Sequence, residues 1–199
     1  MISHNKNKKF PSEFYNDDEF RLILNQCSLK CPTGIRNRAI LTVLYRAGLR
    51  CNALIQIKPK DIDPENGTIR ILSDKGHIAH TVGMDHGAWP SVLHWMERRR
   101  SIGLNGHHSL FCTLKGELLK ASYLRTLCNR LGRCAGIEKR VHPHGFRHSM
   151  AYGMLREGFR IDEIQAQLGH SNPATTFQYL KHLCPQDAID RVLTRVWVP

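Results

Sequence analysis

Between Asp63 and Met84 the chain changes its hydrophobic period, and this change limits the fold more than any other feature. Asp63-Pro64-Glu65-Asn66-Gly67 is a turn composition. It leads into Thr68-Ile69-Arg70-Ile71-Leu72, then a tight Ser73-Asp74-Lys75-Gly76 turn, then Ile78 to Met84 with apolar residues on alternate positions. Period two on both sides of a short turn predicts a β-hairpin with Lys75 at its tip. The flanking sequence reads with helical spacing. A first helix is expected within Ser12–Leu24, with acids early and apolar residues late. Ala39/Ile40, Val43/Leu44 and Ala47 mark a second helix that Gly48 stops, and a short third runs from about Arg50 to Ile57 before Pro59. Further helices are predicted over 87–101, 122–135, 145–157, 161–168, 173–181 and 185–196, punctuated by Pro90, Gly103, Gly136, Gly158 and Pro173. The fold class is therefore mainly α with a small antiparallel β-sheet (α+β). No internal repeat or low-complexity linker divides it, so one domain over 12–199 is expected, preceded by a basic arm at 1–11.

Charge narrows the partner. The 199 residues hold 29 Lys+Arg against 17 Asp+Glu, a net charge of +12. An excess of this sign points to a polyanion, with nucleic acid first and an anionic membrane surface second. It is also concentrated: residues 34–60 carry Arg36, Arg38, Arg46, Arg50, Lys58 and Lys60 with no acid, and 125–147 carry six cations against Glu138. We read these segments as the floor of a nucleic-acid groove. No apolar run approaches the roughly 18–20 residues that span a bilayer. The stretch Met1 to Lys9 has charge without an apolar segment behind it, so a cytoplasmic protein is expected. Seven cysteines at irregular spacing predict reduced thiols, and Cys27-x-x-x-Cys31 lacks the second ligand pair a zinc site needs.

Several chemistry-bearing residues fall at junctions instead of on core faces. Arg50 opens a helix just after Gly48, and Lys75 tips the hairpin. His144 and Arg147 stand one turn apart at another helix start. His170 lies in Leu168-Gly169-His170-Ser171 between two helices, and Tyr179 follows nine residues later. Helix starts and tight turns present donors to phosphate. Two arginines, a lysine, two histidines and a tyrosine without a carboxylate cluster suit metal-free phosphoryl transfer. Guanidinium groups neutralise the non-bridging oxygens, a base activates a tyrosine nucleophile, and an acid protonates the leaving 5′ oxygen. Each residue alone also has an ordinary reading: an ion-pair arginine, a soluble turn lysine, a capping histidine, a packed tyrosine. Their joint order favours chemistry. His148, beside Arg147, is read as structural and facing another way.

The string Ala47-Gly48-Leu49-Arg50, Lys75, His144-Gly145-Phe146-Arg147-His148, Leu168-Gly169-His170 and Tyr179 resembles the signature of the tyrosine recombinases, the phage-integrase and Xer/Cre type. The spacings fit, with 25 residues from Arg50 to Lys75 and 23 from Arg147 to His170. The resemblance implies the DNA breaking-rejoining fold and a site-specific recombinase acting on double-stranded DNA without cofactor, metal or ATP. Arg50 and Arg147 would clamp the scissile phosphate with a hydrogen bond from His170. His144 would assist deprotonation of Tyr179, Lys75 would protonate the 5′ oxygen, and Tyr179 would form a 3′-phosphotyrosyl link. A synaptic tetramer with the last helix, 185–197, docked in trans is implied as well.

Three departures from the family pattern stand out. Ala53 occupies a position where an acid is usual, and His77 and His80 occupy a stretch that commonly carries another base. The N-terminal helical domain that grips the far side of the DNA in relatives is expected to be missing. A phosphotyrosine-forming topoisomerase and a non-catalytic DNA-binding protein are the competing readings.

Overall fold

The helix over Pro32–Arg46 is enclosed on every side. From Gly34 to Tyr45 only Arg38 is not buried, and Ile40, Leu41 and Leu44 have no exposed surface. A helix buried around its whole circumference must run through the middle of a domain, and here the others surround it. The computed structural model describes residues 14–72 and 79–169. Among these, the elements in chain order are α1 (Asp17–Asn25), α2 (Pro32–Arg46), α3 (Cys51–Gln56), β1 (Ile62–Asp63), β2 (Thr68–Ile71), β3 (His80–Gly83), α4 (Trp89–Ser101), α5 (Ala121–Cys134), α6 (Pro143–Arg156) and α7 (Ile161–Leu168). The mainly α architecture with a small antiparallel sheet is thus as the periodicity predicts. The tip of the hairpin and the last two expected helices lie outside the described residues.

Local chemistry sets the element ends. Helix α1 starts later than the acidic run implied, because Asn16 accepts from the Glu19 amide while the Glu19 carboxylate accepts from the Asn16 amide. This reciprocal cap satisfies two otherwise orphaned donors. Helix α6 starts earlier than expected: His142 caps it through Nδ1, which accepts from Gly145 N at 3.0 Å, and Pro143 supplies the pre-set first turn. The hairpin pairs Thr68 with Gly83, Ile69 with Val82 and Ile71 with His80. A short strand not foreseen from the sequence, β1, adds to the outside of β2, giving the order β1-β2-β3 with all neighbours antiparallel.

One continuous core holds the helices to α2 from two sides. On the α4 and α5 side, the buried Arg36 guanidinium donates to Asn37 Oδ1, to Cys112 O at 2.9 Å and to the Tyr123 hydroxyl at 2.5 Å. Trp95 is fully buried and donates to Leu110 O at 2.7 Å. On the α1 and α6 side, Phe20 and Tyr45 stack at 3.9 Å, and the Phe146 ring meets Tyr15, Phe20 and Tyr45 edge-on at 5.2, 5.7 and 6.0 Å. Edge-to-face rings satisfy one another's quadrupoles as well as burying area. Phe146 immediately precedes Arg147, so this cluster anchors the start of α6. Truncating Phe146 to Ala should cost about 3–5 kcal/mol of folding stability, measured as a lowered urea midpoint with an unchanged slope.

Candidate functional site

The carbonyl groups left over at the ends of two helices make the floor of a cleft. Helices α2 and α7 both end in glycines with left-handed backbone, Gly48 at φ +66° and Gly169 at φ +60°, a conformation that costs residues with a Cβ. Gly169 is constrained a second time, since a Cβ there would sit 2.3 Å from His80 Nε2. Arg147, buried on α6, reaches both ends. Its Nη1 donates to Gly48 O at 2.6 Å and its Nη2 to Leu168 O at 2.5 Å. The negative ends of two helix dipoles thus compensate a buried guanidinium. Arg50 caps the start of α3 and places Nη1 3.5 Å from Gly169 O, so consecutive carbonyls of one turn face the two arginines.

The cleft above this floor encloses about 760 Å³. Arg50, Arg125, Arg140 and Arg147 line it together with His80, His142 and His144, and no carboxylate is among its described lining residues. Burial first, then Arg147, His142 and Arg50, push the His144 imidazole below its ordinary range. His148 does not face away as the sequence reading had it: its ring meets that of His144 edge-on at 4.3 Å. Burial, with His144, His142 and Arg147 behind it, brings His148 down to about 3. Both rings are therefore neutral at neutral pH, and His144 is able to accept a proton there.

Of the residues singled out from the sequence, the structure brings Arg50, His144 and Arg147 to one cleft, with Ala53 on its wall. Lys75, His170 and Tyr179 lie outside the described residues, as does His77. The groove-floor reading of the basic segments needs correction. Within 34–60 only Arg50 lines the cleft, because Arg36 is a core residue, Arg38 donates to Leu24 O and Arg46 pairs with Asp85 at 2.7 Å. From 125–147 the cleft takes Arg125, Arg140 and Arg147, while Lys139 pairs with Glu19 at 2.7 Å. Arg125, Asn129, Arg140 and His142 are cleft residues the sequence reading did not pick out. The spacing of Arg125 and Asn129 puts them on one face of α5, and His142 stands before Pro143 at a helix start. Those are the only local signals they carry.

Residues 13–184 match the phage integrase family. The chain belongs to that family. Among its relatives, the tyrosine recombinases XerC of Staphylococcus epidermidis and Staphylococcus aureus are 29% identical over 180 residues, covering 90% of this chain and 60% of theirs. The chain thus spans about 60% of the length of these curated relatives. In three dimensions it resembles the XerA recombinase, with a TM-score of 0.81 at 27% identity over 98% of this chain and 68% of that one. It also resembles the XerH site-specific recombinase bound to its palindromic difH substrate, with a TM-score of 0.76 at 25% identity over 96% of this chain and 55% of that one. The fold is that of a tyrosine-recombinase catalytic domain.

The depressed histidines have a measurable consequence. A base whose folded pKa lies below its unfolded value binds protons preferentially in the unfolded state, so stability falls as pH drops through the unfolded value near 6.5 towards 3. Between pH 7 and pH 5 the protein should lose about 2 kcal/mol more stability than a His148→Gln variant, measured by urea unfolding at both pH values.

Proposed function

We propose that this chain is the strand-cleaving unit of a site-specific DNA recombinase acting through a phosphotyrosyl intermediate. The observation that carries the reading is the convergence of Arg50, Arg147 and His144 in a cleft lined by arginines and by no described carboxylate. A phosphodiester gains negative charge on its non-bridging oxygens as it becomes pentavalent, and planar guanidinium groups fixed in advance stabilise that charge. Two of Arg147's five N–H donors go to Gly48 O and Leu168 O, which sets the plane of the group before substrate arrives.

In this reading Tyr179 Oη attacks the phosphorus, the P–O5′ bond breaks, and a 3′-phosphotyrosyl diester forms. Neutral His144 takes the tyrosine proton and Lys75 gives a proton to the departing O5′, while His170 adds a hydrogen bond to the phosphate. One diester replaces another, so a 5′ hydroxyl from a second strand can reverse the step without ATP. We extend the reading to a homo-oligomer on synapsed double-stranded DNA, with residues 185–197 docking in trans and 12–199 acting as the catalytic domain behind a basic arm at 1–11. Relatives named as recombinases and one solved on its DNA substrate support this over a topoisomerase.

Incubation with a nicked duplex should trap a covalent protein–DNA adduct without added Mg²⁺ or ATP, and Tyr179→Phe should abolish it. An adduct that persists in the mutant overturns the mechanism. DNA affinity should rest on phosphate contacts, so log Kd should change linearly with log salt at a slope of about 0.9 per phosphate neutralised. Arg125→Ala and Arg140→Ala should each reduce that slope in a filter-binding titration; unchanged slopes would remove them from the contact surface.

A further inference from the structure

Strand β3 is one of the two outer strands of the sheet, and its free edge is occupied by a side chain. Met84 N bonds to Gly67 O on the β2 side, so one residue earlier the Gly83 N–H and C=O point outward. Gln167, in the last turn of α7, meets both. Its Oε1 accepts from Gly83 N at 2.9 Å, and its Nε2 donates to Gly83 O at 2.8 Å and lies 3.4 Å from Ala47 O. A primary amide presents its carbonyl oxygen and one N–H side by side in a plane, with a second N–H to spare, so Gln167 pairs with Gly83 as a residue of a further strand would and still reaches Ala47 O. The residues involved are 84 positions apart in the chain.

The location of this bracket gives it consequence. Gln167 precedes Leu168 and Gly169, whose carbonyls face Arg147 and Arg50, and Ala47 precedes Gly48, whose carbonyl also accepts from Arg147. Gly169 packs against His80 at the other end of β3. The turn that fixes both guanidinium groups is therefore clasped to the hairpin at two points. In the sequence, Lys75 stands five residues before His80, and His170 directly follows Gly169.

We propose that Gln167 is a positioning residue, whose amide locks the last turn of α7 to the hairpin edge and so sets the arginine pair and the hairpin in one frame. This role rests on the reading of the cleft as a strand-cleaving site. The bonds lie at an exposed edge where water can replace them, so their loss weighs little on folding. Water does not restore the register between α7 and β3, and small displacements of reacting groups are costly to rate.

The test compares Gln167→Leu and Gln167→Glu with the parent chain on a nicked duplex. Gln167→Leu should slow adduct formation by about 10–100-fold with DNA Kd and thermal midpoint near the parent values. In Gln167→Glu an ionised carboxylate turns two acceptors towards Gly83 O and Gly83 N, whereas the protonated acid restores one donor and one acceptor. Its rate relative to the parent should therefore rise as pH falls from 8 to 5; His80, Arg50 and Arg147, which face this turn, are common to both proteins, so their contribution cancels in the ratio. Adduct formation by Gln167→Leu at the parent rate, or a pH-independent ratio for Gln167→Glu, overturns the proposal. If the parent forms no adduct, the strand-cleaving reading fails, while the bracket stays testable by hydrogen exchange of the Gly83 amide in the free protein. That amide should exchange faster in Gln167→Leu, and equal exchange overturns the bracket itself.

Discussion

One buried cation, Arg147, ties together the elements around the cleft. Arg147 cannot sit inside the protein unless its charge is answered, and the carbonyl ends of α2 and α7 supply part of that answer. That choice joins the central helix to a peripheral one and requires both to stop at glycines, since only a left-handed residue turns the chain away while leaving the carbonyls exposed to the guanidinium. These two neutral carbonyls hold the guanidinium in place without cancelling its charge.

Burial comes first in setting the protonation of the cleft: with the neighbouring imidazoles and arginines behind it, it keeps His144 and His148 neutral. A positive cleft thus contains a base that is ready to accept a proton. The excess of cations counted along the chain is divided by folding into two uses. Arg36, Arg38 and Arg46 hold helices and turns together, and Arg50, Arg125, Arg140 and Arg147 face the cleft.

Much of the fold can be read without coordinates, because helical and two-residue periods, glycine stops and turn compositions are local. The two strands of the hairpin, the glycine at the end of α2 and the opening of α6 near His144 follow from neighbours within a few residues. Strand β1 is two residues long and shows no period. The Arg36 and Gln167 bonds span 76 and 84 positions, so no local pattern marks them. His148 shows the limit in miniature: the sequence places it beside Arg147, yet one helical turn brings its ring onto His144.

Taken alone, the sequence determined the class of fold, the order of the helices and the hairpin, and the set of residues proposed to bind and attack a phosphodiester, because those depend on residue type, spacing and family resemblance. Tertiary structure decided which cations are structural and which face the cleft, that the histidines there are neutral, and that one glutamine clasps the arginine-bearing turn to the hairpin. Those outcomes depend on burial and on hydrogen bonds between distant segments, and neither exists until the helices have packed around α2.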